Sequence, residues 1–213
     1  MFGVKPEFFI SRDPGNVHGR AFFKAMSFIL GKKLKMTQIW KDGKVVPVTV
    51  IHAEPNKISI VRTEERDGYE AVQLLLGKKT KREFKNRASQ PVDVSAMKLD
   101  DAITVETFAE GDMVRVSGIM KGRGFAGVVK RHNFGGGPKT HGQKNRHRHP
   151  GSIGSTAFQR VVPGRRMAGR MGGTRVTVKN LMIAAVDKDN NLLFIRGAVP
   201  GARGGVIEIS NSK

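Results

Sequence analysis

The sequence predicts an all-β domain from which a long, glycine- and arginine-rich loop extends. Short apolar segments with strand-like alternation lie both before residue 115 and after residue 175. The segment between them is poor in apolar residues and rich in glycine, so it cannot bury a core of its own. The whole chain has 213 residues, of which 38% are hydrophobic, and this is enough for one packed core. Strands on both sides of a long insertion imply one β-domain closed by non-local pairing.

The predicted strands follow from alternation and from turn residues. Asp42 and Gly43 are a hairpin signal between the second and third strands, and Pro47 indicates an edge or a bulge because proline donates no ladder hydrogen bond. Residues 78–106 are less regular, with a charged stretch and then a short helical turn near 94–98. The predicted strands are 28–30, 38–40, 44–51, 58–63, 69–76, 176–186, 192–196 and 206–210.

The positive charge is concentrated in one part of the chain. The formal net charge is +20, from 38 Lys and Arg against 18 Asp and Glu. Residues 113–186 contain no Asp or Glu but hold 15 of the Lys and Arg residues. A solvated surface of mixed charges would not show this separation, so a polyanion is the expected partner.

We call residues 115–175 the basic arm. It holds 14 of the 26 glycines and four of the six histidines, with Phe125, Phe134 and Phe158 as its aromatic residues. We expect it to order on its partner, and its scarcity of aromatics favours recognition of RNA shape and backbone over base stacking. The predicted RNA-binding residues are Lys121, Arg123, Lys130, Arg131, Lys139, His141, Lys144, Arg146, Arg148, His149, Arg160, Arg165, Arg166, Arg170 and Arg175.

Several other kinds of site fit the sequence poorly. The chain has no cysteine, which excludes disulfides, thiol nucleophiles and cysteine-bound metals. Gly122, Gly124 and Gly127 match GxGxxG, but no acidic residue follows at the distance that a dinucleotide site needs. His141, His147 and His149 lie among cations without a carboxylate to support a metal. We therefore expect no catalytic residue, no metal and no cofactor.

Two other classes of function stay open from the residues. One is a nucleotide-dependent or RNA-modifying enzyme, which the GxGxxG pattern alone supports. The other is a histone-like protein that compacts DNA, which would show little preference for RNA over duplex DNA. No run of 18 apolar residues is present, so we expect no membrane span. Residues 1–25 lack the apolar core of a signal peptide and form an N-terminal extension, with Met26 as a possible true start.

Several long motifs resemble one family, the large-subunit ribosomal proteins of the L-three family in their bacterial-type form. They are ILGKKLKMTQIW at 29–40, KGRGFAGVVKRHNFGGGPKTHG at 121–142, HPGSIG at 149–154, GRRMAGRMGGTRVTVKNL at 164–181 and LLFIRGAVPGARGG at 192–205. The resemblance covers about residues 26–210, with the motifs in the family's order.

The resemblance implies a compact β-barrel of the translation-protein type, formed by residues 26–114 and 176–213, with the basic arm threaded through large-subunit rRNA. It also implies a role early in subunit assembly, neighbours among other large-subunit proteins, a place in cytoplasmic or organellar ribosomes, and no self-association. The tip of the arm should approach the peptidyl transferase centre. By motif matching, the tip residues are Gly151, Ser152, Ile153, Gly154, Ser155, Thr156, Ala157, Phe158 and Gln159.

The chain departs from the family pattern in three places. Residues 1–25 have no counterpart there. Lys35 stands where glycine is usual, which predicts an altered turn in the first hairpin. Some bacterial members carry a glutamine at the tip that can be methylated, whereas this chain has Ser155, Thr156 and Ala157 there.

Overall fold

The architecture is dominated by β-strands. The computed structural model describes residues 28–86, 94 and 97–211. Within these residues the helices are short and few, so the predicted all-β class is confirmed. The predicted N-terminal extension at 1–25 lies outside the described residues, as do residues 95 and 96 of the predicted turn at 94–98, where the amide of Met97 donates to the carbonyl of Val94 at 3.3 Å.

Twelve strands are described, together with two short α-helices and two 3₁₀ turns, in the following order along the chain. The strands are β1 (Phe28–Lys41), β2 (Lys44–His52), β3 (Asn56–Arg62), β4 (Ala71–Leu76), β5 (Thr80–Lys85), β6 (Ala102–Ile103), β7 (Met113–Ile119), β8 (Phe125–Ala126), β9 (Gly169–Arg170), β10 (Arg175–Asp187), β11 (Leu192–Arg196) and β12 (Val206–Asn211). The helices are α1 (Glu64–Asp67) and α2 (Val128–His132), and the 3₁₀ turns are Val105–Thr107 and Thr156–Phe158.

Six strands close into an antiparallel barrel in the order β1-β12-β7-β10-β11-β2. The interior is filled by aliphatic side chains, among them Ile29, Val116, Ile183, Leu193 and Ile209, all of which are fully buried. Strands β7 and β10, which contain the first and last residues of the basic arm, are direct neighbours in this barrel. The two ends of the arm therefore leave the barrel side by side.

A second sheet with the order β5-β4-β3-β6 packs against the outside of the barrel. Strand β1 serves both cores, because Ile29 points into the barrel while its neighbours Phe28 and Leu30 point into the second core. Phe28 meets Phe84 of β5 with ring centroids 4.7 Å apart. The second sheet is thus fixed to the barrel by apolar packing along one shared strand.

The first hairpin agrees with its turn residues but not with its predicted strand bounds. Asp42 and Gly43 both have positive φ, 51° and 72°, in a two-residue turn, as Asp-Gly predicts. The prediction of two short strands at 28–30 and 38–40 was wrong, because β12 and β2 pair with β1 along its length and keep it continuous. Lys35 lies within β1 beside a register shift and not in the turn, so the expected change in turn geometry was also misplaced.

Pro47 lies at a position of β2 where the sheet tolerates the missing backbone N–H. In β2 its carbonyl accepts from the amide of Gly197, just beyond the end of β11. Since the amide and carbonyl of one strand residue face the same neighbour, the missing N–H of Pro47 also faces this strand end.

Strand β5 is an element that the sequence pattern did not predict. It pairs with β4 over six consecutive positions, from Ala71 opposite Lys85 to Leu76 opposite Thr80. Its only large apolar residue is Phe84, which is buried, while lysine, arginine and glutamate occupy most other positions.

Among the described residues, no helix has the length and the apolar content of a membrane span.

Candidate nucleic-acid interface

The basic arm begins as a two-stranded ribbon that prolongs β7 and β10. The amide of Met120 donates to the carbonyl of Thr174 at 2.9 Å, and the amide of Gly173 donates back to Met120 at 3.0 Å. Further out, Arg123 and Met171 are bonded at 2.8 Å, and β8 then pairs with β9. The ribbon fixes the direction in which the arm leaves the barrel.

Gly172 makes this ribbon possible. It is buried with φ at +76°, and a Cβ built on it would lie 2.2 Å from the carbonyl oxygen of Lys121. A side chain would collide with the backbone of the opposite strand, and the left-handed conformation would be strained for any residue with a Cβ. Gly122 lies on the facing strand. A Cβ built on Gly122 would have no atom within 4 Å, and the φ of this residue is not positive.

Beyond the ribbon, the arm is held by side chains that bond to backbone carbonyls. Arg131 Nη1 donates to the carbonyl of Met167 at 2.8 Å, and the ring of His132 reaches the same oxygen at 3.1 Å. The Nδ1 of His147 lies 2.7 Å from the carbonyl of Pro138. These contacts join the two sides of the arm across gaps in sequence, without an apolar core.

At the tip, Arg165 donates to the carbonyl of Ser152. The hydroxyl of Ser152 donates to the carbonyl of Gly154, and the Ser155 hydroxyl accepts from the amide of Ala157. All nine predicted tip residues are exposed.

Burial is almost absent from the arm beyond the barrel. Among residues 120–174 the buried ones are Ala126, Val128 and Gly172. Every side chain predicted to bind RNA, from Lys121 to Arg175, is exposed. The arm therefore presents its cations outward along its length.

Ion pairs are rare along the part of the arm that the structure describes. Within the described residues, Arg175 is the one predicted RNA contact that forms an ion pair, through Nη2 to Glu208 of β12. Arg82 of β5 binds the other oxygen of the same carboxylate at 3.5 Å. Sequence reasoning missed Arg82, because it lies in a stretch where no strand was predicted and its partner is far away in sequence.

The two end residues of the basic arm mark where the barrel ends. Arg115 lies in β7, and Arg175 is the first residue of β10, so both limits of the basic arm belong to barrel strands. Arg115 is half-buried, whereas the cations beyond Ile119 are exposed.

The glycine pattern does not form a phosphate loop of the dinucleotide type. Gly122 and Gly124 lie in the ribbon, and Gly127 precedes α2, which has only five residues. A dinucleotide site needs a long helix whose N-terminus faces the pyrophosphate. Within the described residues, no group of three or more His, Cys, Asp or Glu side chains could hold a metal ion.

Comparison with known proteins gives a consistent family match. The model of the family described as "Ribosomal protein L3" matches residues 82–192. The large ribosomal subunit protein uL3 of Dehalococcoides mccartyi is 47% identical over 199 residues, which cover 86% of this chain and 97% of that protein. The proteins of the same name from Herpetosiphon aurantiacus and Streptomyces avermitilis are 45% and 47% identical, and each alignment covers 86% of this chain and 95% of the relative.

Proposed function

Because the chain belongs to the ribosomal protein L3 family, it is a structural protein of the large ribosomal subunit, and we propose that it binds large-subunit rRNA through the basic arm. The barrel is the body from which the arm extends. The protein works as part of the ribosome, beside neighbouring large-subunit proteins, in the cytoplasm of a bacterial cell.

One observation carries this proposal: the basic arm exposes all its predicted phosphate contacts and contains no acidic residue. An isolated segment of this kind repels itself and buries little apolar surface, so it gains little by folding alone. Phosphate groups supply both the opposite charge and the hydrogen-bond acceptors that arginine requires.

The binding energy comes mainly from charge neutralisation. Each lysine or arginine that contacts a phosphate releases condensed counterions, and each contact adds about 0.7–0.9 to the slope of log K against log salt. The exposed glycines allow backbone amides to approach phosphates closely. Affinity should therefore fall steeply as salt rises.

The arm's architecture also supports a place early in assembly. A segment with almost no buried residues takes its final path from the RNA around it, and threading is easiest before that RNA has closed. The proposed path ends with the tip, residues 151–159, near the peptidyl transferase centre.

The test compares two variants that carry the same change in charge. In the first, Arg146, Arg148, Arg160 and Arg166 become glutamine. In the second, four exposed lysines of the second sheet, Lys57, Lys78, Lys79 and Lys81, become glutamine. Affinity for large-subunit rRNA transcribed in vitro is measured over a range of salt concentrations.

We expect the arm variant to lose about 3 from the salt slope, since four contacts are removed at about 0.7–0.9 each. The second-sheet variant should keep nearly the whole slope, because the net charge changes equally but no phosphate contact is lost. Equal losses in the two variants would refute binding through the arm.

A further inference from the structure

A basic groove lies between the second sheet and the outer face of the barrel. It has a volume of about 540 Å³, and its walls come from β5 on one side and from β7, β10 and β12 on the other. The side chains that line it include Arg82, Arg115, Arg175, Lys179 and Glu208. The groove starts at the root of the basic arm, since Arg175 belongs to both.

The floor of the groove carries hydroxyl groups. Ser117 of β7 and Thr177 of β10 are register partners, and their hydroxyl oxygens lie 2.8 Å apart. Ser210 of β12, which is opposite Arg115 in the sheet, adds a third hydroxyl. Phe84 also lines the groove but is buried, so the described lining residues offer no exposed aromatic ring on which a base could stack.

The groove keeps its net positive charge when the side chains engaged elsewhere are set aside. Five cations and two carboxylates line it. Glu83, however, is engaged elsewhere, since its carboxylate accepts from Arg62 Nε at 3.0 Å and from the Tyr69 hydroxyl at 3.2 Å. The ammonium group of Lys85 is likewise engaged elsewhere, because it lies 4.1 Å from the centre of the Tyr69 ring.

Glu208 is thus the carboxylate that faces the groove's arginines. It is only 17% exposed and binds Arg175 and Arg82 from opposite walls. In this position it holds two guanidinium groups across the opening. Arg82 and Arg175 keep N–H donors for a further acceptor, because each guanidinium carries five N–H groups.

We propose that this groove binds the sugar–phosphate backbone of an RNA strand that continues from the basic arm onto the barrel. The inference rests on the proposed function, and it adds a second contact surface outside the arm. Arginine, lysine and hydroxyl donors match phosphate oxygens and ribose hydroxyls, while the lack of an exposed ring disfavours base stacking. Glu208 is a positioning residue, and its negative charge also weakens the electrostatic attraction between the groove and phosphate.

The sharpest test is the sign of the effect of Glu208→Gln in the full-length chain. The probe is large-subunit rRNA transcribed in vitro. Removing this carboxylate removes repulsion of phosphate and releases two arginines, so affinity should rise by roughly two- to fivefold or more, since surface charge pairs set the lower end of such effects. The control Glu64→Gln removes an exposed carboxylate on α1 and should change affinity little.

A second pair of variants keeps the test independent of folding at Glu208. Arg82→Gln with Lys179→Gln removes two exposed groove cations and should lower the salt slope by about 1.5. The control pair, Lys57→Gln with Lys81→Gln, removes the same charge from elsewhere on the second sheet and should leave the slope nearly unchanged.

The possible failures are distinguishable. If the arm variant of the previous section loses salt dependence but the groove variants do not, the groove is refuted while the proposed function stands. If none of them loses it, both are refuted. Tighter binding of inorganic phosphate by Glu208→Gln, without any change in RNA affinity, would make the groove a small-anion site and overturn the proposal.

Discussion

Substituting Gly172 by alanine should open the two-stranded ribbon at the start of the basic arm while leaving the barrel folded. The added methyl group would lie 2.2 Å from the carbonyl oxygen of Lys121, far inside van der Waals contact. Overpacking of this kind costs about 1–3 kcal/mol, and a left-handed φ costs a residue with a Cβ about 1–2 kcal/mol more. The ribbon has few buried groups with which to resist a penalty of this size.

The expected response is local opening. The amides of Met120, Arg123, Met171 and Gly173 donate the hydrogen bonds that close the ribbon, so their hydrogen exchange should accelerate about a hundredfold or more. Amides inside the barrel, such as those of β11, should keep their protection. Affinity for rRNA should fall as well, because the arm no longer leaves the barrel in a fixed direction.

The matched control is Gly122→Ala on the facing strand, where a Cβ meets nothing within 4 Å and the backbone is not left-handed. This variant should exchange like the parent chain. If Gly172→Ala protects the four ribbon amides as well as Gly122→Ala does, then close approach at Gly172 does not fix the arm, and the reasoning fails.

Three further predictions concern the second sheet and the tip. Burial alone would raise the pKa of Glu83, but the hydrogen bonds and charge of its arginine partner, with further hydrogen bonds, hold the pKa below its ordinary value. Its carboxylate therefore stabilises the fold above about pH 4.3 and loses this effect as the pH falls through the lowered value. Glu83→Gln should cost about 1–2 kcal/mol at pH 7 and nothing at low pH, which urea unfolding at several pH values will measure; a constant difference would contradict this cause. Phe84→Ala should destabilise the chain by about 3–5 kcal/mol in the same assay, whereas Phe84→Leu should cost much less; equal costs would argue against ring packing on the barrel. Arg165→Gln should make the tip more sensitive to limited proteolysis than Arg166→Gln does, because only Arg165 bonds to the Ser152 carbonyl; equal sensitivity would count against that closure.

The local rules of strand and turn formation predicted much of the barrel. The Asp-Gly turn and the strands after residue 175 follow from short-range patterns. Strand β1 was harder to predict, because the polar residues in its middle resemble a break between two strands. Its continuity comes from β12 and β2, which pair with it on both sides.

Strand β5 shows why charged strands escape sequence patterns. Only Phe84 signals its buried face, while its arginine and glutamate side chains bond to partners on other strands. Those partners are fixed by tertiary packing, which a window of neighbouring residues does not contain.

The candidate interface was predictable in charge but not in geometry. The absence of acidic residues from 113–186 is visible in the sequence, and it points to a polyanion without any structure. The meeting of Arg82, Arg175 and Glu208 is not visible, because these residues come from three strands that the fold brings together.

The proposed position of the tip, against rRNA near the peptidyl transferase centre, can be tested directly by local cleavage of the RNA. The chain has no cysteine, so a single cysteine can carry a tethered iron reagent that cuts nearby RNA. The reagent is placed at the tip with Ser155→Cys, or on the turn of the second sheet with Lys79→Cys, and each chain is assembled into large subunits. We expect cleavage around the peptidyl transferase centre from position 155 and at different sites from position 79. Cleavage there from both positions, or none from position 155 in assembled subunits, would contradict the proposed position of the tip.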